Sequence, residues 1–131
     1  MTLASNQLPI KSDYLAPDGS EIRLLVRAAG GSMCHCTLPP GHISLAVAHH
    51  SIEELWYFTQ GLGQVWRKVG GREEETDVRP RASVAIPTGT HFQFRNTGHE
   101  PLCFICVSMP PWPGPSEAFR VGDHWHATAA P

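Results

Sequence analysis

Two stretches of this 131-residue chain decide its fold: GHISLAVAHHSIEELWYFTQG at residues 41–61 and IPTGTHFQFRN at residues 86–96. Both contain short runs in which apolar and polar residues alternate, and Gly or Pro residues punctuate them. Side chains alternate across a strand, so each run places every second residue on the same face. Both stretches therefore predict β-strands with one buried face, joined by tight turns.

The residue spacing in these stretches resembles the two sequence motifs of the cupin superfamily. The residues in register are Gly41, His49, Glu54 and Gly61 for the first motif, and Pro87, Gly89 and Asn96 for the second. Two of the four metal-ligand positions implied by the resemblance carry other residues, because Val47 and Phe92 stand where the motifs have His. The resemblance extends from about residue 23 to residue 109 and implies an all-β fold, a small antiparallel jelly-roll β-barrel.

Strand-sized segments continue along most of the chain. Its 12 Gly and 12 Pro residues lie between short alternating runs and not in one block, which is typical of turns. The candidate strands are residues 21–27, 32–38, 44–50, 55–60, 64–69, 75–78, 83–86, 91–96 and 102–108. Many short strands at this spacing favour a closed or double-sheet antiparallel barrel.

The chain length fits a single domain with one core. We predict an N-terminal arm at residues 1–20, a cupin-like barrel at 21–109, and a Pro-rich C-terminal tail at 110–131 packed on the barrel. The arm is expected to be partly disordered or to add a strand to a partner subunit. The tail is expected to contain one helical turn at 116–119, and its His124 and His126 have a spacing that can chelate on a strand.

Composition narrows the partners and the location. A formal net charge of −2 and a pI near 6.4 predict no nucleic-acid partner. The longest apolar runs are strand-sized, which predicts no membrane partner. The N-terminus lacks the pattern of a signal peptide, so we expect a cytoplasmic location.

Four cysteines are expected to be free thiols in such a compartment. They are Cys34, Cys36, Cys103 and Cys106. Alternation places the first two on one strand face and the last two on opposite faces, which disfavours a four-Cys zinc site. We therefore interpret these cysteines as small core residues.

The resemblance places Glu54 inside the barrel, and alternation then puts neighbouring aromatic residues on the same face. The predicted pocket residues are Val47, Trp56, Phe58, Trp66, Phe92 and Phe94. The main polar groups of this pocket are His49 and Glu54, which are the predicted catalytic pair. Glu54 would serve as a general base or metal ligand, and His49 as its partner or a second ligand.

A metal is one of two possibilities that the sequence leaves open. Metal-binding cupins use three His and one Glu, a set that suits Fe, Ni, Zn or Mn. Val47 and Phe92 offer no lone pair, and two ligands rarely hold a metal. His50, His91 or His35 is a candidate substitute ligand; otherwise the site holds no metal.

The leading functional hypothesis is a small cupin that binds a small organic molecule, aromatic or sugar-like, inside its barrel. Such a protein either carries metal-dependent isomerase or dioxygenase chemistry or works through Glu54 and His49 as acid and base. The alternative is a non-catalytic ligand-binding or sensor module without metal, and a third hypothesis is a structural partner with a filled barrel. The resemblance also implies a homodimer, which would cover exposed sheet edges.

Overall fold

A computed structural model describes residues 3–130, and nearly all of its regular structure is β-strand. The strands are β1 (Tyr14–Leu15), β2 (Glu21–Ala28), β3 (Gly31–Leu38), β4 (Val47–His49), β5 (Glu53–Gln60), β6 (Gly63–Val69), β7 (Arg72–Val78), β8 (Ser83–Ile86), β9 (His91–Asn96), β10 (Leu102–Met109) and β11 (Ala118–Arg120). Within the described residues, no helix is long and apolar enough to span a membrane.

The strands form two antiparallel sheets. One has six strands in the order β1-β2-β3-β10-β5-β8, and the other has five in the order β11-β4-β9-β6-β7. Buried apolar side chains from both sheets form one continuous core. The predicted all-β antiparallel architecture is therefore confirmed.

Aromatic rings fill the centre of this core. Trp56 of β5 stacks on Phe104 of β10 with ring centroids 4.3 Å apart. Phe92 and Phe94 of β9 each meet the Trp56 ring edge-on at 5.3 Å. Alternation along β5 and β9 brings these rings inward, and such edge-on and stacked pairs stabilise a core beyond the area they bury.

The strand predicted at residues 44–50 is shorter in the structure. Only Val47–His49 pairs as β4. The preceding N–H groups have other partners: Leu45 N donates to Asp18 O at 2.8 Å, and Ala46 N donates to the Asp123 carboxylate at 3.1 Å. Because these two donors bind the arm and the tail, the pairing with β9 is interrupted at Leu45 and Ala46, although Ile43 still forms a bridge with Arg95 of β9.

Both ends of the chain add strands that the sequence did not predict. In the arm, β1 pairs with β2 of the same chain. In the tail, the turn is a 3₁₀ turn at Pro115–Glu117, where a helical turn at 116–119 was predicted. The helical turn stops there because Ala118–Arg120 pairs with β4 as strand β11.

Candidate functional site

A cavity of about 440 Å³ lies inside the barrel. Its walls include the aromatic residues Trp56, Phe92, Phe104 and Trp112, the polar residues His49, Glu54 and Ser108, and the thiols of Cys34, Cys36 and Cys106. Most of the wall is apolar, although Asp18, Ser20, Arg27 and Ser32 also border it. This composition is typical of small-molecule sites.

The arm and the tail border the same cavity. Tyr14 and Pro17 line it from the arm, and Trp112 and Pro115 line it from the tail. The tail is fixed there in part by a hydrogen bond from Trp112 N to Ser32 Oγ at 2.9 Å. Segments outside the predicted barrel therefore shape the site.

A β-bulge adds a further part of the wall. The pairing of β2 with β3 shifts register between Leu24 and Arg27. Adjacent Leu24 and Leu25 both line the cavity, although neighbours in a regular strand point to opposite faces. A bulge redirects side chains in this way.

Glu54 is buried on the cavity wall with two hydrogen-bond donors. Trp56 Nε1 donates to its Oε1 at 3.0 Å, and Ser108 Oγ donates to its Oε2 at 2.7 Å. Burial raises the pKa of Glu54, and the nearby His49 imidazole and the two hydrogen bonds offset only part of this effect. The environment therefore favours the protonated carboxyl more than water does.

His49 lies on the same wall, 5% exposed. Its ring contacts Phe92 and Trp112 at centroid distances of 5.2 and 5.7 Å. Burial lowers the pKa of His49, although the carboxylates of Glu54 and Glu117 act in the opposite direction. Within residues 3–130, its buried Nδ1 has no hydrogen-bond partner.

The two motif positions without His lie side by side. Val47 of β4 is the direct partner of Phe92 of β9, and both line the cavity. Their side chains offer no donor atom, so the residues present do not fit a metal centre with three His and one Glu. Among the described residues, no group of three or more His, Cys, Asp or Glu is placed to hold a metal ion.

The three candidate substitute ligands do not line the cavity. His50 is exposed, and its ring contacts that of Phe119 in a tilted arrangement with centroids 4.4 Å apart. His91 pairs with Lys68 of β6, and His35 lies across from Arg23 of β2. Each is one residue away from a cavity or core residue; for His35 and His91, alternation along the strand turns the side chain to the other face, and His50 lies just after the end of β4.

Five of the six predicted pocket residues divide into two groups. Val47, Trp56 and Phe92 line the cavity. Phe58 and Phe94 are absent from its wall and are fully buried in the core, where both pack against Phe104. Alternation predicted their inward direction, but it carries no information on depth.

Trp66 has a different environment from the other predicted pocket residues. Its ring stacks in parallel on His124 of the tail at 4.9 Å, and its Nε1 donates to Glu73 at 2.7 Å. Its neighbour Val65 belongs to the core instead. The tail therefore covers Trp66 on the outer face of the five-stranded sheet.

Sequence reasoning missed the thiol and hydroxyl groups of the cavity. Cys34 and Cys36 share the inner face of β3, as alternation predicted, and Cys106 shares the inner face of β10 with Ser108. Cys103 lies near Gln60 and Thr37 outside the cavity. The alternation of side chains along the strands could have indicated thiols on the cavity wall. Small buried cysteines are usually core residues, however, and these cysteines were interpreted in that way.

A family model described as "Cupin domain" matches residues 34–108. This match spans more than half of the chain, which therefore belongs to the cupin domain family. The chain is also 29% identical, over 104 residues, to Uncharacterized protein MJ1618 of Methanocaldococcus jannaschii. That alignment covers 76% of this chain and 80% of the relative.

Solved structures share the fold. The capsular polysaccharide assembling protein CapF of Staphylococcus aureus superposes with a TM-score of 0.71 at 17% identity, over 89% of this chain and 35% of CapF. A Klebsiella pneumoniae protein with a double-stranded β-helix domain gives 0.66 at 15% identity, over 79% of this chain and 85% of that one. These likenesses confirm the cupin-like jelly roll.

Proposed function

We propose that this cupin binds a small, largely apolar and uncharged organic molecule inside its barrel. A hydroxyl or carbonyl group of that molecule would form hydrogen bonds with His49 and Glu54. The observation that carries the proposal is the presence of these two buried polar side chains on an otherwise mostly apolar cavity wall.

The size and the lining of the cavity support this ligand class. Its volume of 440 Å³ falls within the range of roughly 300–1,000 Å³ that is usual for small-molecule sites. The rings of Trp56, Phe92, Phe104 and Trp112 line it. Aromatic walls favour a flat or aromatic ligand, which can stack or make edge contacts.

The electrostatics of the cavity favour an uncharged ligand. Burial raises the pKa of Glu54 and lowers the pKa of His49, so both groups are biased toward their neutral forms. A charged group placed against His49 and Glu54 would lose its hydration without gaining a strong counter-ion there. A neutral ligand with one polar group avoids that cost and supplies a partner for the His49 ring.

We propose acid–base catalysis as a second candidate function. A buried carboxyl with a raised pKa beside a His in a cavity is a common arrangement for proton transfer. Once a substrate is known, Glu54→Gln is expected to retain binding and to lose turnover. If Glu54→Gln retains turnover, Glu54 is not the acid or base, and non-catalytic ligand binding remains as the proposed function.

The apolar side chains of Val47 and Phe92 do not fit the metal centre that a metal-dependent isomerase or dioxygenase would require. The metal remains a prediction from the resemblance, to be checked by elemental analysis of untagged protein. A near-stoichiometric ion that is lost in Glu54→Gln would support it.

Naphthol and naphthalene form a suitable pair of probes for the proposed binding. They share two fused rings and differ by one hydroxyl group. Leaving a buried polar group unpaired costs about 1–3 kcal/mol, so naphthol is expected to bind more tightly by roughly 5- to 150-fold. Binding can be followed by quenching of tryptophan fluorescence, because Trp56 and Trp112 line the cavity.

Two variants test whether the preference for naphthol over naphthalene arises from His49. His49→Phe keeps a ring in the wall and is expected to bind naphthalene while losing most of the preference for naphthol. His50→Phe is the matched control, because His50 is exposed and outside the cavity. Equal affinity of the wild type for both probes, or no binding of either, would overturn the proposal.

We also propose a homodimer formed through the outer face of the six-stranded sheet. Leu55 and Tyr57 are 52% and 48% exposed on β5, and they lie opposite the partly buried Val107 and Ile105 of β10. An apolar patch of this kind marks an interaction surface. Tyr57→Glu is expected to shift sedimentation at micromolar concentration toward the monomer, whereas Leu62→Glu, at an exposed turn, should not.

The cytoplasmic location is likewise proposed from the sequence. Fractionation of cells that express the full chain tests it, and recovery from another compartment would contradict it.

A further inference from the structure

Three thiols meet on one wall of the barrel cavity. Cys34 and Cys36 of β3 have sulfur atoms 3.8 Å apart, and Cys106 of β10 is the direct cross-strand partner of Cys34. All three line the cavity, and all are free. Neither the proposed ligand nor the acid–base pair uses them.

We propose that Cys34 and Cys106 are a modification site, a dithiol that hydrogen peroxide oxidises to a reversible disulfide inside the barrel. The proposal does not depend on the proposed ligand. It rests on the register between β3 and β10, on the access of peroxide to the thiols through the cavity, and on the three thiols that line the cavity wall.

The strand register selects the pair of cysteines. Opposed residues in an antiparallel pair have Cα atoms about 4.5–5.5 Å apart, which lies within the disulfide range of about 4.4–6.8 Å. Cys34 and Cys36 are two residues apart on one strand, so their Cα atoms are about 6.6 Å apart. Their Cβ atoms point in parallel, whereas a disulfide requires Cβ atoms about 3.8 Å apart. Cys106 is therefore the partner that can bond Cys34 without moving β3.

Access makes Cys34 the thiol that reacts first. Cys34 is partly exposed, whereas Cys36 and Cys106 are buried. Hydrogen bonds involving the Cys106 and Cys36 thiols lower the pKa of Cys34 and outweigh the effect of burial. Burial raises the pKa of Cys106. The accessible sulfur thus has the greater thiolate character, which is the form that peroxide oxidises.

The reaction balances with peroxide as the oxidant. The Cys34 thiolate attacks one peroxide oxygen, the O–O bond breaks, and hydroxide leaves, so Cys34 becomes a sulfenic acid. The Cys106 sulfur then attacks the Cys34 sulfur, the S–S bond forms, the S–O bond breaks, and the oxygen leaves as water. In total, two thiols lose two electrons and two protons, and peroxide becomes two waters.

The disulfide would lie beside the polar part of the cavity. Cys106 Sγ is 4.0 Å from Ser108 Oγ, which donates to Glu54. Thiol oxidation would therefore change the wall next to Glu54.

The test uses the full chain, reduced and then treated with hydrogen peroxide. The wild type is expected to lose two of its four free thiols and two hydrogen masses, and digestion should yield a peptide that links Cys34 to Cys106. A thiol reductant should restore the starting mass. Unchanged thiols, a different pair of cysteines or a link between two chains would overturn the proposal.

Serine variants separate the roles of the cysteines. Cys36→Ser and Cys103→Ser are expected to form the same linked peptide. Cys106→Ser should instead leave a Cys34 sulfenic acid that dimedone traps. Formation of an internal disulfide in Cys106→Ser would contradict the assignment of the partner. If Cys106→Ser fails to fold, the peptide that links Cys34 to Cys106 in the oxidised wild type tests the assignment instead.

Discussion

Val47 and Phe92 lie directly opposite each other on β4 and β9, at the two motif positions where metal-binding cupins carry His. Both are almost fully buried, with 2% and 1% exposure. Glu54 and His49 line the same cavity as these two side chains, so two of the four motif positions on this wall hold apolar groups. Substitutions at Val47 and Phe92 can therefore test whether this wall binds a metal once the missing His ligands are restored.

The double variant Val47→His, Phe92→His is expected to bind Ni or Zn near stoichiometrically, because it restores the three His and one Glu of the motif. Elemental analysis after dialysis measures the metal. Without metal, its free energy of unfolding should fall by roughly 1–3 kcal/mol, since polar rings replace buried apolar groups. Adding Glu54→Ala to the double variant should abolish uptake. A metal-free double variant would show that the four positions do not converge.

Replacing Glu54 by Gln tests its buried carboxyl. The pKa of Glu54 is raised in the folded chain, so the folded state holds its proton more tightly than the unfolded state. The contribution of this group to stability is therefore present at low pH and is lost as the pH rises through the folded pKa. Gln cannot ionise, so Glu54→Gln should gain stability relative to the wild type as the pH rises above about 4.5.

Urea unfolding at several pH values measures this difference, with Glu53→Gln as the control because Glu53 is exposed. A Glu54→Gln effect that is the same at every pH would refute the raised pKa.

Glu117 holds the tail to the loop after β4. Its Oε1 accepts hydrogen bonds from Ser51 N at 2.6 Å, Ser51 Oγ at 2.8 Å and Ile52 N at 2.7 Å. Burial alone would raise the pKa of Glu117, but these hydrogen bonds outweigh it and lower the pKa. The stabilisation is therefore present above the unfolded pKa near 4.5 and is lost as the pH falls through the folded pKa.

Glu117→Ala is expected to cost about 1–3 kcal/mol at neutral pH, because the buried N–H of Ile52 and the partly buried N–H of Ser51 lose their acceptor. Hydrogen exchange should become faster at residues 51 and 52 and in β11. Glu117→Gln keeps a carbonyl acceptor and should cost less. Unchanged exchange in Glu117→Ala would mean that other contacts hold the tail.

Gly63 shows where the barrel has no room for a side chain. A Cβ added there would lie 2.5 Å from Arg95 O and 2.6 Å from Leu102 Cδ2. Gly63→Ala should therefore destabilise the fold by roughly 1–3 kcal/mol, because backbone must shift. Gly71→Ala is the control, since no atom lies within 4 Å of its added Cβ. Equal thermal stability of the two variants would contradict the close approach of these strands.

Much of the site was predictable because the relevant signals are local. Alternation put Glu54 and Trp56 on one face of β5, and the motif spacing identified Val47 and Phe92 as the altered ligand positions. The same alternation did not distinguish the cavity wall from the core, so Phe58 was assigned to the pocket. Trp66 was also predicted for the pocket, although the tail covers that ring on the outer face.

The parts that escaped prediction depend on contacts between distant segments. The irregular backbone before β4 arises because its N–H groups bind Asp18 and Asp123. The bulge at Leu24 and Leu25 is a shift in the register between β2 and β3. The sequence of either strand alone does not indicate such a shift. Such features follow from how the chain closes on itself.

The sequence by itself determined the strands, their inward faces, the cupin frame and the loss of two ligand positions, because a strand's period of two and a motif's spacing are local properties. Only the tertiary structure decided that Cys34 faces Cys106, that Ser108 donates to Glu54, and that the arm and tail complete the cavity wall. The register between strands far apart in sequence depends on the packing of the whole barrel.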